Sequence, residues 1–207
     1  SGTSATSGSS GTSAAAGTAG TSGINGVAGG LVYYMNQSTN TSSAFGTPTY
    51  KQWSPNPSGS AQTSVTTSVA SNTTSTIAAF ATDSGVPNAD IIPAGNWAFV
   101  IHVQLDNSNA DFDCYAEIYT YTTGAVSTLI GTTNSVNIAY LGGAIQQLYT
   151  DTFIPLTDTN VTDRIYVLVK AINNDNQAHN ITFYTEGQTY YSYAQTTFNP
   201  PSGTSGT

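Results

Sequence analysis

Trp97, Phe99, Ile101, Val103 and Leu105 alternate with Ala98, Val100, His102 and Gln104, the period of a strand with one buried face. Phe112, Cys114, Ala116 and Ile118 repeat that alternation, and so do Ile165, Val167, Val169 and Ala171. Ile181 with Phe183, then Tyr191 with Tyr193, predict the last two strands. Earlier strands are predicted over 31–37, 47–53, 62–70 and 75–82, and central ones over 125–130, 135–139 and 147–154. Pro93-Ala94-Gly95, Thr123-Gly124, Gly142-Gly143 and Asn173-Asn174-Asp175-Asn176 separate them with turn chemistry. Helical periodicity is nearly absent. Roughly eight to eleven short β-branched and aromatic strands read as an all-β fold, an antiparallel β-sandwich of jelly-roll type. It spans 31–198, long enough to bury its own core.

Residues 1–30 follow a different rule. Gly2, Gly8, Gly11, Gly17, Gly20, Gly23, Gly26 and Gly29 share one frame of period three, and Ala5 and Ala14 fill its two gaps. Only glycine fits where three collagen chains meet, so this frame favours a collagen-like thread. Composition alone would equally give a flexible Gly/Ser linker. The tract has no proline, so it needs a folded neighbour to register three chains. After Asn199-Pro200-Pro201, Gly203 and Gly206 begin the same triplet again. The expected layout is a thread (1–30), a sandwich (31–198), and a proline hinge opening a further repeat (199–207).

Charge narrows the partners. Only 7% of the 207 residues are charged, against roughly 25% in ordinary domains. Lys51, Arg164 and Lys170 face eleven acids, for a net charge of −8 and a pI near 4.1. Three cations cannot neutralise a row of phosphates, which excludes nucleic acid and basic-patch lipid binding. No apolar run approaches the roughly 20 residues of a membrane span. With 38% hydrophobic residues and 13 tyrosines, the chain is too apolar to be wholly disordered. It starts at Ser1 without a charged-then-apolar leader, so it reads as a processed product or a fragment.

Several segments carry a resemblance: 31–38 (Leu31-Val32-Tyr33-Tyr34-Met35-Asn36-Gln37-Ser38), Tyr50-Lys51-Gln52-Trp53, 77–88, 92–99, Leu148-Tyr149-Thr150, 162–167 and 182–187. Together they resemble β-rich domains that accompany Gly-Thr-Ser repeats in surface-fibre proteins of viruses and microbes. The resemblance covers most of 23–198 and carries no catalytic signature. It implies a trimeric fibre or appendage at an extracellular or virion surface, similar to jelly-roll heads on collagen-like stalks.

Candidate chemistry is sparse. Cys114 is expected as a small buried hydrophobe, since Asp113 beside it opposes a thiolate. His102 and His179 stand in no zinc spacing, and His102 is expected on a surface or half-buried strand position. No nucleophile elbow or phosphate loop occurs. Glu117 and Glu186 could enter a carboxylate pair, without spacing to support it. Asp106, Asp111 and Asp113 offer oxygen ligands to calcium, although such a loop reads more simply as a solvated turn. No cofactor is expected. Asn36, Asn40, Asn72, Asn160 and Asn180 begin N-x-[ST] sequons, with Asn72 and Asn160 in predicted loops. Tyr190, Tyr191 and Tyr193 cluster late in the domain, while Tyr115, Tyr119 and Tyr121 share one strand face. Packing on another subunit or sheet is favoured for them over a glycan platform. The function expected from all this is a non-enzymatic structural fibre subunit whose partners are identical subunits. The alternative is a receptor-binding or adhesin knob for surface glycans.

Overall fold

The computed structural model describes residues 30–41 and 50–198. The repeat glycines Gly2 to Gly29, Gly203 and Gly206 therefore lie outside the described residues. In chain order the strands are β1 (Val32–Asn40), β2 (Lys51–Ser54), β3 (Thr63–Val69), β4 (Thr74–Ala81), β5 (Ile91–Ile92), β6 (Gly95–Leu105) and β7 (Phe112–Tyr121). They continue with β8 (Ser127–Thr132), β9 (Val136–Ile138), β10 (Gln146–Ile154), β11 (Thr157–Asp158), β12 (Arg164–Asn173), β13 (His179–Thr185) and β14 (Tyr193–Gln195). The described residues contain no helix, and the all-β expectation holds.

Alternation drives the layering. Along β7 the buried positions are Phe112, Cys114, Ala116, Ile118 and Thr120, and the intervening residues face outward. β13 repeats the pattern with Ile181 and Phe183 inside. One hydrogen-bonded path runs β3-β13-β6-β14-β1-β2-β4-β12-β7-β8, with β10 added to β6 and β9 to β7. It turns back on itself where β1 meets β2, at a register break between Asn36 and Asn40. The halves then face each other as a sandwich. Phe80 of β4 meets Phe183 of β13 at 5.7 Å across it, and Tyr33, Trp53, Trp97 and Phe198 form a ring cluster at one end. At the far side Thr150 Oγ1 of β10 donates to the Asn134 carbonyl at 2.5 Å, tying the layers again.

Two details depart from the sequence pattern. β2 runs parallel to β4, through Lys51↔Phe80 and Gln52↔Ala81, in an otherwise antiparallel structure. β5 and β11 pair as a two-residue ladder, too short for any periodicity to announce. Cys114 is buried as expected; desolvation and then Asp113 push its thiol up to about 12.

Candidate functional site

β10 carries the site. Leu148, Thr150 and Ile154 point inward, so Gln147, Tyr149, Asp151 and Phe153 must point outward. Tyr149 is 68% exposed and Phe153 is 65% exposed. Neither ring has a ring partner among the described residues, and exposing about two thirds of such large side chains forgoes the free energy of burying them.

Register extends these positions into rows. Tyr149 lies opposite Val100, Val100 opposite Tyr193, and Tyr193 opposite Tyr34, one line across β10, β6, β14 and β1. The next row is Asp151, Ala98, Gln195 and Val32. Phe153 lies opposite Asn96 in the third. Strand spacing puts Tyr149 and Tyr193 about 10 Å apart, and strand rise separates Tyr149 and Phe153 by about 13 Å. Exposed Ala98 of β6, opposite Asp151, is the smallest side chain in these rows and leaves the floor beside the rings low. The adjoining cleft of about 430 Å³ is lined by Gly95, Asn96, Ala98, Gln195 and Thr197, among others.

The polar groups of this face are amides and one carboxylate. Asn96 Nδ2 donates to Asp151 Oδ2 at 2.7 Å, and Asn134 Nδ2 to Asp151 Oδ1 at 3.4 Å. Gln147 Nε2 donates to the Tyr149 hydroxyl at 2.6 Å. Trp97 Nε1 donates to Thr197 Oγ1 at 3.0 Å, and that hydroxyl donates on to the Pro93 carbonyl at 2.6 Å. Lys51, Arg164 and Lys170 all lie on β2 and β12 of the other layer. The face is thus uncharged apart from Asp151.

The expected tyrosine cluster divides. Tyr193 belongs to the face just described. Tyr191 instead donates to Asn36 Oδ1 at 2.6 Å and accepts from the Ser58 amide at 2.7 Å, bracing a corner. Tyr190 stands edge-on to His102 at 5.7 Å. His102 is buried, deeper than the expected surface or half-buried position, and burial lowers its pKa. Ser192 Oγ lies 3.5 Å from His102 Nδ1, but the hydroxyl donates to the Tyr184 carbonyl at 2.7 Å and accepts from the His102 amide at 3.0 Å. Ser192 is fully buried, so this pair braces β14 against β6 and offers no accessible nucleophile.

Tyr115, Tyr119 and Tyr121 do share the outer face of β7. Tyr119 stacks on Tyr166 at 4.7 Å with an interplanar angle of 1°, and Tyr50 tilts against Tyr166 at 5.5 Å. These rings spend their faces on one another. Beside them Lys170 pairs with Glu117 at 2.8 Å, and Tyr119 donates to the same carboxylate at 2.7 Å. A second cleft of about 510 Å³ opens between β3 and β4, lined by Val65, Thr67, Ile77, Ala79 and Lys51. Its rim at Tyr50 adjoins 42–49, outside the described residues.

Glu186 is not part of a carboxylate pair. It is buried at φ 63° and receives Ser38 N at 3.1 Å, Ser38 Oγ at 2.6 Å, Ser58 Oγ at 2.6 Å, and the Thr63 hydroxyl. Burial opposes its ionisation more than any other single cause, yet these hydrogen bonds together outweigh it and lower the pKa. Gly187 follows at φ +70°, where a Cβ would sit 2.9 Å from the Gln62 amide nitrogen, so the turn that aims Glu186 inward requires glycine.

Of the calcium candidates, Asp111 and Asp113 meet at the Asn137 amide, and Asp106 is engaged elsewhere. Asp106 accepts from Asn180, Asp111 from Asn137, and Asp113 from Asn137 and Asn174. Among the described residues no group of three or more His, Cys, Asp or Glu could hold a metal ion. Of the sequons, Asn72 and Asn160 lie exposed in turns, Asn40 is exposed at the end of β1, and Asn180 is half-buried on β13. Asn36 is a correction. It is 1% exposed, with Nδ2 donating to Gln52 Oε1 and the Asn56 carbonyl at 3.0 Å each, so this fold has no room for a glycan there.

No family model matches the sequence, and no curated protein matches it. Solved structures do match the fold. Two crystal structures of a CocE/NonD family hydrolase from Staphylococcus aureus superpose with TM-scores of 0.52 and 0.54, at 9% and 11% identity. Each alignment covers 80% of this chain, and 36% and 35% of the hydrolase respectively. The chain therefore spans about a third of the length of the proteins it superposes on. At such identity the likeness is one of fold. It nonetheless overturns two expectations: the non-enzymatic role, whether as fibre subunit or as receptor-binding knob, and the expectation that the chain is no enzyme. Both superposed structures are of a hydrolase, and both expectations are withdrawn.

Proposed function

We propose that this chain is a ligand-holding β-sandwich module of a hydrolase-type protein, working through the outer face of β10, β6, β14 and β1. The superposition on about a third of a CocE/NonD family hydrolase supports the hydrolase connection. The observation that carries the ligand-holding part is the pair of exposed rings, Tyr149 and Phe153, beside the low floor at Ala98. Rigid strands hold those side chains at fixed spacing, which limits the ordering entropy that binding costs. Holding a ligand is the chemistry this face can supply, because its polar groups are amides and a carboxylate already engaged by amides.

A thermal-shift panel tests the reading. The whole chain is melted with soluble representatives of hydrolase substrates: acyl esters, peptides and oligosaccharides. A ligand that binds only the folded state raises Tm. We expect at least one class to do so, and the rise to vanish in the double variant Tyr149→Ala/Phe153→Ala. A panel that raises Tm nowhere, or a rise that survives the double variant, would overturn it.

A further inference from the structure

Resting on that reading, we propose that the ligand class held on the outer face of β10, β6 and β14 is a neutral polysaccharide chain. Three observations converge on it. The first is ring availability. The Tyr50, Tyr166 and Tyr119 rings are covered by one another, whereas Tyr149 and Phe153 stand exposed on β10 with no ring against them among the described residues. An exposed ring in water can gain from stacking on the C–H face of a sugar.

The second is charge. The three basic residues of the chain, Lys51, Arg164 and Lys170, belong to β2 and β12. The candidate face carries Asp151 and no cation among the residues of its rows. A phosphate, sulfate or uronate would meet a carboxylate with nothing to neutralise it, inside a molecule of net charge −8. A neutral ligand meets no such penalty. Its hydroxyls can both donate and accept, which matches Asp151 as an acceptor and the amides of Asn96 and Gln195 as mixed partners.

The third is spacing. Tyr149 and Phe153 are about 13 Å apart along β10, wider than one sugar ring. A single monosaccharide touches one of them; a chain laid along β10 touches both and passes over Asp151, with Ala98 of β6 beside it. The cleft of about 430 Å³ at Asn96, Ala98 and Gln195 lies beside that path.

Affinity electrophoresis of the whole chain at pH 7 is the test. Gels contain soluble β-1,3-glucan, xylan, galactomannan or dextran, with polygalacturonate as the anionic comparison. The expected result is retardation by at least one neutral polymer and none by polygalacturonate. In the double variant Tyr149→Ala/Phe153→Ala the affinity should fall at least tenfold, while Tyr149→Phe retains most of it. Melting curves of each variant report whether it is folded. Retardation by the anionic polymer, or retardation that the double variant keeps, overturns the inference. So does light scattering showing that these two side chains instead hold a second copy of the chain. If peptides or esters raise Tm through these two rings and no neutral polymer binds, the polysaccharide assignment falls while the ligand-holding reading stands. If nothing binds, both fall.

Discussion

A buried carboxylate without a cation beside it is the residue that most needs explaining. Glu186 is held ionised by hydroxyls and an amide from β1, from the 55–62 connection and from the start of β3, so it fastens segments far apart in sequence. Glu186→Gln keeps the shape but leaves donors facing an amide NH₂. The expected loss is about 2–3 kcal/mol at pH 7 in urea denaturation. The pH dependence follows from the lowered pKa. The folded state holds the proton less tightly than the unfolded chain, so this stabilisation is complete above the ordinary value of 4.5 and is lost as pH falls through the lower folded value. The gap between wild type and variant should therefore start to close as pH falls below about 4.5 and vanish only below the lower folded value; a gap that stays constant down to acid pH would contradict the assignment. None of this is readable from sequence, where Glu186 is a lone acid before a glycine. Burial of Asn36 was equally hidden, because its partners Gln52, Asn56, Ser58 and Tyr191 are assembled only by the fold.

At the scale of strands, the two layers use tyrosine in opposite ways. On the β12 and β7 face the rings pack on one another, and Tyr166 is 7% exposed. On β10 the ring of Tyr149 is left to solvent. Tyr166→Ala should cost about 3 kcal/mol, and Tyr149→Ala should fall within about 0.5 kcal/mol of wild type. Equal losses in chemical denaturation would contradict this division. The strands themselves were largely legible: alternation placed β6, β7, β12 and β13 and the faces they bury, because one side of each packs on a single core. The outward set Tyr149, Asp151 and Phe153 was also present in the alternation of 147–154. Its meaning was not, since only pairing with β6 and β14 shows Ala98 beside Asp151 on the next strand and Tyr193 in line with Tyr149 two strands away. The late cluster Tyr190, Tyr191 and Tyr193 drew attention by adjacency, but neighbouring residues on extended chain point to different sides, and their roles separate accordingly.

For the whole molecule, low charge concentrates what charge there is. Lys170 pairs with Glu117 at 2.8 Å, and His179 Nε2 lies 3.3 Å from Asp175 Oδ2, neither on the proposed binding face. Stability should depend little on salt: raising NaCl from low to roughly half-molar concentration should shift Tm by no more than about 2 °C. A much larger shift would mean that charge holds the sandwich together more than its core does. The same distribution leaves one sheet face free of cations and furnished with two exposed rings, the property on which the account depends. Aromatic ¹H–¹³C resonances titrated with whichever neutral polysaccharide retards the chain test it most directly. The account predicts shifts at Tyr149, Phe153 and Tyr193 with Tyr119 and Tyr166 unmoved; shifts centred on Tyr119 and Tyr166, with Tyr149 and Phe153 silent, would contradict it.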